Sequence, residues 1–213
     1  ANAAIVEAHP EKRGLFLNLM AVMHGLGSLL APLFAGWLLS INVTWRGIYR
    51  WDIALILLFI FLFSFVRFPK SKEQNSIDFK HIAQIAFKGD LPWFYFAIAF
   101  YVAAEIGMSS WLVTFLQEIR GASVASSTQT LSLFFAMLML GRLGGGFVVQ
   151  RLGYLRAILF ASIGSLTCIA AGIFTDFSFL LPTTGLFFSI IFPTFTAAVS
   201  VDHPENTNSI LGI

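Results

Sequence analysis

Ala3-Ala4-Ile5-Val6-Glu7-Ala8-His9-Pro10-Glu11 returns near the other end of the chain as Ala197-Ala198-Val199-Ser200-Val201-Asp202-His203-Pro204-Glu205, 194 residues later. The His-Pro-Glu tripeptide is the same in both copies, and an Ala-Ala-aliphatic triplet stands at the same distance before each. Almost everything between them is apolar and comes in helix-length blocks. A long repeat inside such a chain predicts two similar helical bundles, with a solute site between them near the membrane midplane. The chain starts late in one bundle and stops before the other closes, so an incomplete pair is expected.

The composition points the same way. Mean hydropathy is +0.81. Charged residues make up only 11% of the sequence, against about 25% in soluble domains. Aromatic residues reach 15%, with 24 Phe. A chain this apolar has no polar coat for water, and a lipid bilayer is its natural solvent. The net charge of +2 is too small to favour nucleic acid as a partner. The lone Cys168 lies inside an apolar block and excludes an intramolecular disulfide or a cysteine metal cluster.

A spanning helix needs about 20 mostly apolar residues. Six blocks qualify: Phe16–Leu39, Trp51–Val66, Trp93–Phe115, Thr128–Val149, Leu155–Phe174 and Phe179–Val201. The second is short unless Trp45–Tyr49 joins it. Ala1–Ala8 reads as the end of an earlier helix and Asn208–Ile213 as the first turn of a later one. If Glu7–Arg13 is cytoplasmic, alternation puts Arg67–Asp90, Gln150–Arg156 and Asp202–Asn206 on the same side. That side then carries ten of the 13 Lys and Arg residues, counting Arg142 close to it, and the other carries Arg46, Arg50 and Arg120. The bias fits the positive-inside rule, and Trp45, Trp51 and Trp93 stand at block edges as interfacial anchors should.

The longest gap carries Pro69, Lys70, Ser71, Lys72, Glu73, Gln74 and Asn75, a solvated linker composition. Within it, Ile77–Phe87 spaces its apolar residues for a short amphipathic surface helix. The expected organisation is residues 1–66 closing an N-terminal half, 67–90 as cytoplasmic linker, and 91–213 in a C-terminal half.

The stretch Gly141-Arg142-Leu143-Gly144-Gly145-Gly146-Phe147-Val148-Val149-Gln150-Arg151-Leu152-Gly153-Tyr154-Leu155-Arg156 resembles the cytoplasmic signature of the major facilitator superfamily. Gly146, Arg151, Gly153 and Arg156 fit its pattern, while Gln150 replaces the usual acid. The resemblance implies an all-α membrane protein of the major-facilitator type, with the stretch joining helices 8 and 9 of twelve. The chain would then run from the end of helix 4 to the start of helix 11. It holds about six full transmembrane helices and two partial ones. Tyr101-Val102-Ala103-Ala104-Glu105-Ile106-Gly107-Met108-Ser109-Ser110-Trp111-Leu112 looks like helix 7 of the fucose and glucose/galactose proton-symporter branch. Ala1-Asn2-Ala3, Pro10-Glu11, Gly14, Phe16 and Leu17-Asn18-Leu19 look like its helix 4–5 junction. The branch implies a multi-pass bacterial inner-membrane transporter that moves a hexose-type sugar with a proton by alternating access. In the signature, Gly141, Arg142, Gly146, Arg151, Gly153 and Arg156 would form the cytoplasmic gating region.

Ionisable groups inside hydrocarbon cost a few kcal/mol even on lenient scales. Only Glu105 and His24 sit well inside a block. Glu105 is 12 residues beyond Trp93, so about 18 Å into a core of about 30 Å. His24 is 8 residues beyond Phe16, about 12 Å in. Both lie at substrate depth. Glu105 reads as a carboxylate that binds sugar hydroxyls or takes up a proton, or else as a buried group tying two helices together. His24 reads as a substrate contact or as an interhelical one. Ser109 follows Glu105 at i+4 on one face. Trp111 is a candidate platform for a sugar ring, or a packing residue. Gln129 and Thr130 line an exit path or cap a helix start. Pro32 and Pro193 each free a backbone carbonyl inside a helix. Asn42-Val43-Thr44 fits a glycosylation sequon but sits against the membrane and reads as chance.

No phosphate-binding loop follows Gly144-Gly145-Gly146, and no His-Glu-x-x-His or cysteine pair offers a metal site. No cofactor, metal or enzymatic activity is expected. A drug or metabolite exporter of the same superfamily is the alternative. A non-transporting sensor or an intramembrane enzyme is more remote, since Glu105 and His24 alone make a thin catalytic set.

Overall fold

The computed structural model describes residues 13–65, 87 and 89–202, with side chains from residue 22. It contains six α-helices among these residues: α1 (Arg13–Ser40), α2 (Trp45–Ser64), α3 (Leu91–Glu118), α4 (Val124–Leu152), α5 (Tyr154–Phe174) and α6 (Leu180–Asp202). All six are long and apolar enough to cross a membrane. Both His-Pro-Glu copies, most of the 67–90 gap with its amphipathic segment, and the two partial helices lie outside the described residues.

Local chemistry sets the helix ends. The second block does take in Trp45–Tyr49, because Thr44 caps α2 by accepting from the Gly47 N–H at 3.3 Å. Before it, Asn42 adopts a left-handed φ of 63°. The Val43 N–H reaches back to the Leu38 carbonyl at 3.0 Å, and the Asn42 N–H to Leu39 at 3.1 Å. This is a Schellman turn with asparagine at the left-handed position. The Asn-Val-Thr triplet is thus accounted for as one helix stop followed by one helix start. α4 begins four residues before the expected Thr128, because Ser123 caps it by accepting from the Ser126 N–H at 3.2 Å. Neither Gln129 nor Thr130 caps the helix: Thr130 donates to the Ser126 carbonyl at 2.9 Å, and Gln129 is exposed.

Packing centres on α6, which lies against α4 and α5, with α1 on the far side of α4 and α3 across α4 and α6. Small residues make each seam close. On α4 and α6, a side chain at Gly141 would meet the Leu186 carbonyl at 2.7 Å, and one at Gly185 would collide with the Phe134 carbonyl. The contacts advance together along both helices, so α4 and α6 run parallel. On α5 and α6, Gly172 faces Leu181 and Gly164 faces Phe187, so one number rises as the other falls and the pair is antiparallel. Gly25 against Met139 and Gly36 against Thr128 make α1 and α4 antiparallel as well. Close approach through small residues is how helices associate where lipid removes the hydrophobic drive. Phe134, Leu181 and Phe188 fill the core between α3, α4 and α6. α2 has no buried residue and an apolar surface on all sides, as suits a helix in lipid.

The alternation expected from the charges is visible in the C-terminal four helices. Asp90 before α3, Tyr154 after the α4–α5 turn, and Asp202 at the end of α6 line one groove at one end. At the opposite end, the α3–α4 connection meets the α5–α6 connection through Arg120 and Asp176 at 3.3 Å. Arg120 also donates to the carbonyls of Gly172, Ile173 and Thr175 at 3.2, 3.0 and 2.5 Å, closing the C-terminus of α5. Arg120→Ala should lower stability by about 2–3 kcal/mol, since it strips a charged donor from three helix-end carbonyls. Asp176 is fully solvated, so Asp176→Asn should change stability by less than about 1 kcal/mol. Thermal unfolding of the two variants in detergent separates these outcomes.

Candidate functional site

The candidate site is built on α3. Its buried residues Tyr101, Leu112 and Leu116 recur at helical spacing and define the face that meets α4 and α6. Glu105 falls on that face, one turn after Tyr101, and is half-buried. The opposite side, with Phe96, Phe100 and Ile106, is exposed and suits lipid. Glu105 therefore projects into the bundle, as the cost of a carboxyl in hydrocarbon requires.

Tyr101 is the residue that sequence reading passed over. It is 7% exposed, and its hydroxyl donates to the Phe188 carbonyl on α6 at 2.9 Å. Its ring meets Phe188 edge-on, with centroids 5.8 Å apart. Glu105, one turn along the same face, and Arg142 on α4 are both near enough to act electrostatically on the phenol. Tyr101, Glu105 and Arg142 thus form one electrostatic group where α3, α4 and α6 meet. The i,i+4 spacing of Tyr101 and Glu105 was a usable signal; the Phe188 carbonyl had none in the sequence.

Arg142 also lines a cavity of about 250 Å³ between α4 and α6, with Gly146, Ser189, Pro193 and Thr194. Gly141 and Gly145 on the same helix are buried against α6, and their missing side chains let the two backbones close. Gly146 has open space around it. Pro193 removes the donor that the Ser189 carbonyl would otherwise have, beside the guanidinium. The other hydroxyls here bond within their own helix: Ser189 to the Leu186 carbonyl and Thr194 to that of Ile190, at 2.6 and 2.5 Å.

The remaining sequence candidates fall elsewhere. Ser109 follows Glu105 by one turn and is half-buried, with its hydroxyl on the Ile106 carbonyl at 3.0 Å. Trp111, six residues past Glu105, sits about 120° round the helix. It is 70% exposed, in a groove with Gly107, Ile169 and Leu181, and does not join the Glu105 face. His24 is exposed on α1, which packs on α4. Arg151 ends α4 and Arg156 opens α5, both exposed. Arg142 lies nine residues before Arg151, about 14 Å back along the helix. Gly153 joins α4 to α5 at φ 76° and ψ 165°, a region that glycine alone adopts without strain. This is the physical reason a signature of this type needs glycine there.

Neither the curated proteins nor the solved structures yield a match to this chain. The family model described as Major Facilitator Superfamily matches residues 1–213. That match, the signature turn at Gly153 and the glycine-seamed membrane helices agree. The chain belongs to the major facilitator superfamily, a family of secondary transporters that sit in the bilayer and carry small molecules.

Proposed function

We propose that the protein moves a hexose-type sugar by proton symport, in the manner of the fucose and glucose/galactose branch, across a bacterial inner membrane. Residues 1–66 then close the N-terminal half, 67–90 are the cytoplasmic linker, and 91–213 belong to the C-terminal half. The observation that carries this reading is Glu105. It is a half-buried carboxyl in the middle of a helix long enough to span a membrane, on the face of α3 that meets α4 and α6, one turn from Tyr101 and one turn from Ser109. A carboxyl so placed has a lipid cost that proton uptake or polar solute binding explains. In this reading Glu105 carries the coupling proton and contacts sugar hydroxyls, with Ser109 on the same face. His24 and Trp111 remain candidates for outer contacts. Gly141, Arg142, Gly146, Arg151, Gly153 and Arg156 serve the cytoplasmic gate.

The test is uptake of a labelled hexose panel into proteoliposomes holding the intact protein, with and without an imposed pH gradient. At least one hexose should accumulate more than tenfold when the lumen is alkaline and only equilibrate without the gradient. Equal uptake under both conditions would refute symport. No uptake of any hexose, with export of hydrophobic compounds, would favour the exporter.

A further inference from the structure

Three arginines share the end of the bundle opposite the Gly153 turn. Gly36, late in α1, meets Thr128, early in α4, so the α1–α2 connection lies at the same end as the α3–α4 connection. Arg120 is fully engaged there, by Asp176 and three backbone carbonyls. Arg46 and Arg50, in the first two turns of α2, are exposed, and among the described residues neither pairs with a carboxylate. They are open to an anion from outside the protein.

Their place on α2 selects the kind of anion. Arg50 follows Arg46 by four residues, so the two side chains emerge on one stripe, about 6 Å apart along the axis. Ile53, Leu57 and Ile60 continue that stripe within about 40° of Arg46. They are 56%, 60% and 61% exposed, on a helix that buries no residue. From Arg50 to Ile60 is about 15 Å, half of a hydrocarbon core of about 30 Å. Two cations thus stand over one leaflet's depth of apolar surface. Trp45 and Tyr49 flank them edge to face at 6.1 Å, and the Arg46 guanidinium lies 4.5 Å over the Trp45 ring. Such rings settle at headgroup level and fix the depth of the arginines.

A soluble anion matches the arginines alone, whereas a phospholipid matches the arginines and the stripe beneath them. Guanidinium binds phosphate oxygens through paired N–H groups. The acid nearest in sequence, Asp52, lies about 120° round the helix from Arg46, so no carboxylate on the stripe receives an ammonium. The charge pattern therefore fits an anionic headgroup better than a zwitterionic one.

We propose that this stripe of α2 is a docking site for an anionic phospholipid. Its phosphodiester sits between the Arg46 and Arg50 guanidiniums, and one acyl chain lies along Ile53, Leu57 and Ile60. The site is separate from the Glu105 face and does not depend on which solute the protein moves.

The test uses the intact protein in phosphatidylcholine vesicles doped with phosphatidylglycerol that carries a photoreactive acyl chain. Peptide mapping after illumination should place adducts on Ile53, Leu57 or Ile60. Unlabelled phosphatidylglycerol should compete, and phosphatidylethanolamine and soluble glycerol phosphate should not. Arg46→Gln with Arg50→Gln should weaken labelling at least tenfold, since each charge near an anionic surface is worth roughly a fivefold change in affinity. Arg46→Lys with Arg50→Lys should fall between, keeping the charge but losing the paired N–H groups. Absence of α2 adducts in the wild type would mean that protein, not lipid, covers the stripe and would overturn the proposal. Equal competition by phosphatidylethanolamine would reduce it to ordinary lipid contact, and competition by glycerol phosphate would make it a soluble-anion site. Wild-type labelling in the double Gln variant would show that the arginines do not hold the headgroup.

Discussion

Glu105→Gln is expected to abolish gradient-driven accumulation of substrate while exchange of substrate across the membrane persists. The amide keeps the shape of the carboxyl and most of its hydrogen bonding but cannot ionise. A carrier that no longer changes protonation state cannot be pushed by a proton gradient, however well it binds solute. Accumulation should fall to the equilibrium ratio, a loss of more than tenfold, with counterflow of labelled substrate still measurable. If Glu105 only binds sugar hydroxyls, accumulation and counterflow should decline together through weaker affinity. Wild-type values for both would make Glu105 a structural residue.

Gly185→Val should prevent the bundle from assembling. The first side-chain atom at this position collides with the Phe134 carbonyl and comes within 3.1 Å of the Leu138 N–H, both backbone groups of α4. Backbone cannot rotate away as a side chain can, so α4 and α6 must separate. Separation would open the core around Phe134, Leu181 and Phe188, residues that are 0%, 1% and 3% exposed. Overpacking of this kind costs typically about 1–3 kcal/mol and more against rigid backbone. We expect loss of the monodisperse peak in size-exclusion chromatography of the detergent-solubilised variant. Gly27→Ala is the control: nothing lies within 4 Å of an added side chain there, so the variant should elute as the wild type. Equal behaviour of the two variants would mean that the α4–α6 seam is not tight.

The fold was legible because hydrocarbon admits few solutions. Six apolar blocks became six helices, with ends displaced where a cap overrode hydropathy. Whether Trp45–Tyr49 joins the second block is open in the sequence, where Arg46 and Arg50 interrupt the apolar run; the Thr44 cap and the Arg46 guanidinium 4.5 Å over the Trp45 ring bring it into α2. The start of α4 at Val124 carries no hydropathy signal, because it is set by the Ser123 cap within a run of hydroxyl residues. Glu105 was legible for the opposite reason, as one charge where charge is costly. Tyr101 was not, because a tyrosine among many aromatic residues looks like packing. Its meaning depends on a carbonyl 87 residues away in sequence. Arg120 likewise counted only as a charge on the sparse side of the membrane. Its partners are backbone oxygens, which every residue possesses and no sequence distinguishes.

The most direct test of proton-coupled sugar transport follows both solutes at once. Hexose is added to a weakly buffered suspension of proteoliposomes containing the intact protein, and external pH and labelled hexose are recorded together. The account predicts alkalinisation of the medium as hexose enters, in a fixed ratio, and its disappearance in Glu105→Gln. Entry of hexose with no accompanying proton movement would contradict it.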